Sequence, residues 1–119
     1  MKKQRYSARA SLPTEPFASA TDAWFWFMSC HQARLDGARS VAGLGAVTRP
    51  CEPADIHQLV TRLYRSRRLR SHHLTVLVRY GRAMLPPDHR GTDRGADLLH
   101  WNEAMIRLEE AFRGRGIIS

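Results

Sequence analysis

Leu98, Trp101, Met105, Leu108 and Phe112 follow one another at alternating intervals of four and three residues, which confines the C-terminal third of this chain to one conformation. Only an α-helix brings positions so spaced onto a single face, and the seam extends through two heptads. That length is too short for a coiled coil, so the apolar face requires other helices of the same domain to cover it. The same rhythm recurs upstream in shorter form. Trp24, Phe27 or Met28, His31 and Leu35 mark a first helix, capped by Ser19 or Thr21 and ending at about Asp36, before Gly37. Ile56, Leu59, Val60 and Leu63 mark a second, entered through Pro53 and running to about Arg68. Leu74, Leu77 and Val78 mark a third, capped by Ser71 and ending near Gly81, with Ala83 to Leu85 as a further turn. The seam helix starts from Thr92 or Asp93 and ends at Gly114. Val41, Leu44 and Val47 suit one more short helix, weakened by Gly43 and Gly45 at roughly 1 kcal/mol each.

The expectation is an all-α, compact four- or five-helix domain spanning residues 19–119, with a central helix-turn-helix-like hairpin formed by the second and third helices. At 119 residues the chain holds one core, and 43% hydrophobic against 25% charged residues is ordinary for a folded domain. Residues 1–18, with Pro13, Pro16 and four cations, read as a flexible basic arm whose Phe17 docks on the body.

Charge is where the chain departs from the ordinary. Its 19 Lys and Arg against 11 Asp and Glu give a formal net charge of +8, and only Lys2 and Lys3 among the cations are lysine. From Ile56 to Leu85 there are Arg62, Arg65, Arg67, Arg68, Arg70, Arg79 and Arg82, three histidines, and no acid. Guanidinium forks suit phosphate and carboxylate, so a basic surface of this kind points to a polyanionic partner. Arg62, Arg65, Arg68, Arg70, Ser71, His72, His73, Arg79 and Arg82 are the candidate nucleic-acid-binding residues. Contacts from such a set would go mainly to phosphate, because base-reading chemistry beyond Arg79 and Arg82 is sparse. The competing reading is a solvated arginine face, partly paired with acids of the last helix.

Trp24, Phe25, Trp26 and Phe27 cannot all occupy one stripe, so at least one of Phe25 and Trp26 belongs on a second face, packed against another helix of the domain or exposed as a homodimer or partner contact. That allows the alternative function of an adaptor binding an acidic protein. Chemistry is less well represented. Cys30, His31, Cys51 and His57 are metal-type ligands at spacings unlike any zinc pattern, and His72-His73 is expected to meet solvent or phosphate rather than a metal. Glu103, Glu109 and Glu110 lie outside the seam and form no inward pair, so neither an enzyme nor a cofactor is expected. The Met1-Lys2-Lys3 start leads into no apolar run, and Ala23 to Met28 is far below the ~20 residues of a membrane span. The expectation is a cytoplasmic protein with reduced thiols and no membrane contact.

Two resemblances complete the reading. Asp22-Ala23-Trp24-Phe25-Trp26-Phe27 with Gly37-Ala38-Arg39, then Arg49-Pro50-Cys51-Glu52-Pro53 with Asp55-Ile56, resemble a group of short uncharacterised proteobacterial proteins, which implies no activity. Leu74 to Gly81, ending Arg79-Tyr80-Gly81, resembles the helix preceding the DNA-reading helices of sigma-factor region four, which implies a role in transcription. That family's helix-turn-helix does not follow here; Pro86-Pro87 and a polar loop stand in its place.

Overall fold

A computed structural model describes residues 14–37, 48–88 and 95–119. Among these residues the chain forms four helices: α1 (Ala20–Leu35), α2 (Pro53–Arg65), α3 (Ser71–Ala83) and α4 (Asp97–Gly114). The all-α four-helix expectation is met. The short helix expected around Val41 to Val47 lies outside the described residues, as do Thr92 and Asp93; neither caps α4, which starts later than expected, at Asp97, with Ala96 as its cap and no side-chain bond.

The starts of α1, α2 and α3 each have a local cause. Ser19 Oγ accepts the Asp22 amide at 3.1 Å to open α1, and Pro53 opens α2 where its missing N–H costs nothing. Asp55 Oδ2 reaches back to the Glu52 amide at 2.8 Å. Ser71 does not cap α3 as expected; it is the first helical residue, and Arg70 is the cap. His73, three residues on, closes this turn, its Nδ1 accepting the Arg70 amide at 2.9 Å. An imidazole therefore does what the carboxylate of a capping box usually does.

The ends share one device. A left-handed residue closes each helix: Gly37, Arg67 and Gly116 one place past the caps of α1, α2 and α4, and Met84 as the cap of α3 itself. For α2, the Arg68 amide returns to the Leu63 carbonyl at 2.8 Å and the Arg67 amide to Tyr64 at 3.0 Å. This is the paired bonding of a Schellman end. α2 therefore stops at Arg65, three residues short of the expected end. Gly81, expected near the end of α3, is instead buried within it.

The core is built from Trp24, Ile56, Leu59, Leu69, Val76, Leu77, Trp101, Leu108 and Phe112, with Phe17, Ile117 and Ile118 closing one side. α3 packs chiefly along α4, and α2 against α1, so α2 and α3 share a corner more than a packed face. Gly116 reverses the chain, and the Phe17 amide then meets the Ile117 carbonyl at 2.9 Å. Arg49 lies over the Phe17 ring at 4.2 Å. The end of the N-terminal arm is thus anchored as expected, while residues 1–13 lie outside the described set. Two expectations of burial fail: Leu35 is 67% exposed and His31 is exposed, because the last two turns of α1 run past the neighbouring helices. Val78 also faces outward, its inward place in α3 taken by His73 and Val76.

Candidate nucleic-acid interface

Residues 66–70 turn the chain from α2 into α3. Leu69, fully buried, pins this corner to the core, and its amide meets the Leu63 carbonyl at 3.1 Å. The residues on either side of that anchor have to face outward. Tyr64, Arg65, Arg67, Leu69, Arg70 and Ser71 line an open cleft of about 320 Å³ there. The first turn of α3 holds no acid, so the positive end of its dipole faces the same space without compensation. Among the described residues, no carboxylate pairs with Arg62, Arg65, Arg67 or Arg70.

The remaining candidate cations are divided up. Arg68 leaves the corner for α4, where Nη2 meets Glu110 Oε1 at 2.6 Å with both side chains more than half exposed. Arg79 Nη1 donates to Asp97 Oδ2 at 2.8 Å, and the Tyr80 hydroxyl donates to the same oxygen at 2.6 Å. Asp97 is buried, so this carboxylate and its donors form a strut between α3 and α4. Arg82 is exposed at the far end of α3, about 16 Å along the axis from Ser71. It lines a second cleft, of about 250 Å³, with Met28, Ser29, Gln32, Ala33, Gly81 and Met84. Of the face read from sequence, Arg65, Arg70 and Ser71 meet at this cleft, while Arg62 is exposed along α2, Arg68 and Arg79 are committed elsewhere and Arg82 is remote. Arg67 was not among the candidates, yet it lines the cleft.

His73 corrects the expectation that it meets solvent or phosphate: it is buried, and its Nε2 lies 2.9 Å from Glu103 Oε1. Because Nδ1 accepts an amide proton from Arg70, the ring proton must sit on Nε2 and be donated to Glu103. His72 stays exposed, its ring centroid 4.1 Å from His73 and 4.2 Å from His100. Partial desolvation, then the charges of His73 and His100, hold the His72 pKa below its ordinary value. The His73 hydrogen bond holds the Glu103 carboxyl below the usual range. His100 escaped the sequence reading, although its place three residues before Glu103 puts the two on one face of α4.

Phe25 and Trp26, expected on a second face of α1, are half-buried at the edge of the core, which is the alternative of packing within the domain. Phe25 sits 6.0 Å from Trp101 and Trp26 5.2 Å from Phe17. Burial, with Asp55 and Glu52 nearby, pushes the Cys51 thiol up to about 12, so it stays protonated at neutral pH. Among the described residues, no helix is long and apolar enough to cross a membrane. Comparison of the chain with known protein families, curated proteins and solved structures finds no match.

Proposed function

We propose that the protein binds DNA through phosphate contacts made at the α2–α3 corner, as a small basic DNA-binding protein with a role in regulating transcription. The observation that carries this reading is the set Arg65, Arg67 and Arg70, which lacks carboxylate partners among the described residues and lines the cleft at the N-terminus of α3. Arg68 and Arg79, by contrast, are committed to carboxylates of α4. Backbone amides at a helix start add donors of the kind phosphate takes. Binding of this kind positions a duplex without reading it, so affinity should exceed sequence discrimination.

The test is a titration of labelled duplex at several salt concentrations. Each phosphate neutralised contributes about 0.9 to the slope of log affinity against log salt, so a corner using three arginines has a slope near three. Arg65→Gln, Arg67→Gln and Arg70→Gln together should remove most of that slope, while Arg68→Gln and Arg79→Gln leave it nearly intact. A triple variant that binds duplex as tightly as the parent would reject the corner. Binding to an acidic protein that persists after nuclease treatment, with no duplex binding at any salt, would favour the adaptor reading instead.

A further inference from the structure

Besides the arginines, α3 and α4 bring three imidazoles and one carboxylate together where they meet. His72, His73 and Glu103 each present a ligand atom, all within 4.8 Å of one another, and His100 lies with its ring 4.2 Å from that of His72. Neutral imidazoles keep a lone pair, and a lone pair is what a metal takes.

The four groups are not equivalent. His73 donates from Nε2 to Glu103 and accepts from the Arg70 amide at Nδ1, so it has no lone pair to give. It serves instead to hold the Glu103 carboxylate in place, the outer-sphere role that orients a ligating group. His72 is exposed and Glu103 partly so, and neither is locked by core packing. Ligand atoms around one tetrahedral zinc ion stand roughly 3.4 Å apart; the His72 and Glu103 atoms lie within 4.8 Å of each other, and rotation of the His100 ring, 4.2 Å from that of His72, would supply the third nitrogen. From these contacts the geometry points to a surface site for a divalent first-row transition-metal ion, held by His72, His100 and Glu103 with His73 as the positioning residue. Two imidazoles and a carboxylate form the donor set zinc, copper and nickel accept, and they leave room for water at the open side. The site uses none of the corner arginines, so it stands or falls apart from the DNA reading.

The decisive experiment titrates Zn²⁺ into the untagged chain near pH 7.5, following calorimetry and the imidazole resonances of His72 and His100. One equivalent should bind and shift both resonances, while the Nε2 proton of His73 remains in place. His72→Ala and His100→Gln, each checked for parental helicity, should weaken the affinity at least about tenfold; His57→Ala should leave it unchanged. The proposal is overturned if stoichiometric zinc leaves both imidazoles unmoved, or if the affinity survives the two substitutions.

Discussion

Arg67 is held at φ 67°, a left-handed conformation that costs an L-residue roughly 1–2 kcal/mol and that glycine adopts freely. The same position after α1 and after α4 is glycine, so the α2 end gives up stability to place a guanidinium at the corner. Arg67→Gly should raise the unfolding free energy by about 1 kcal/mol in urea melts while weakening duplex binding. A variant that binds as the parent does would make Arg67 an accident of the turn. Cys51 gives a second test, at alkaline pH. Its pKa is raised from 9.0 to about 12 by burial and then by Asp55 and Glu52, so the folded chain keeps a proton that the unfolded chain loses. Its contribution is therefore complete below pH 9 and fades as pH rises toward 12. Thermal midpoints of Cys51→Ala should fall less steeply than those of the parent above pH 9, and Cys51 of the folded protein should resist alkylation until it is unfolded.

Among the elements, legibility followed the glycines. α1 and α4 end where Gly37, Gly114 and Gly116 announce an end, and both boundaries could be read from sequence. α2 turns at Arg67, a residue with no such preference, and there the expected end was misplaced, whereas α3 runs past Gly81 to Ala83 and turns at Met84, inside the extension expected there. Gly81 misled for a related reason: its glycine serves a close approach, not a turn. A Cβ there would lie 2.7 Å from Met28 Cγ and 2.9 Å from Trp24 Nε1. The indole cannot yield easily, since its N–H is bonded to the Leu77 carbonyl at 2.9 Å. Gly81→Ala gains about 1 kcal/mol of helix propensity and loses about 1–3 to overpacking. The expected net result is a loss of up to about 2 kcal/mol in chemical denaturation. Gly114→Ala, whose new Cβ meets nothing within 4 Å, should be neutral or gain about 0.5 kcal/mol and so controls for propensity. Equal effects at the two positions would mean that α1 does not approach α3 this closely.

At the scale of the molecule, the seam of α4 and the basic run of α2 and α3 could be read in advance because both are periodic or compositional. Which arginines remain available could not be, because pairing crosses the chain: Arg68 meets Glu110 on α4, and Arg79 meets Asp97. His73 was misplaced for the same reason, its partner Glu103 lying 30 residues away. Such pairing separates cations that hold α3 to α4 from cations that only add repulsion to a chain of net charge +8. Exposed like charges oppose folding and are relieved by screening, with a Debye length of about 10 Å at 0.1 M salt. The parent should therefore gain thermal stability between low and moderate salt. If Arg65, Arg67 and Arg70 serve a partner, changing all three to Gln should leave the midpoint equal or higher and shrink that gain. Asp97→Asn should instead destabilise by about 2 kcal/mol, since it weakens a largely buried pair. A triple variant that loses as much stability as Asp97→Asn would place the corner arginines in the scaffold, and the reason to expect a polyanion there would go with them.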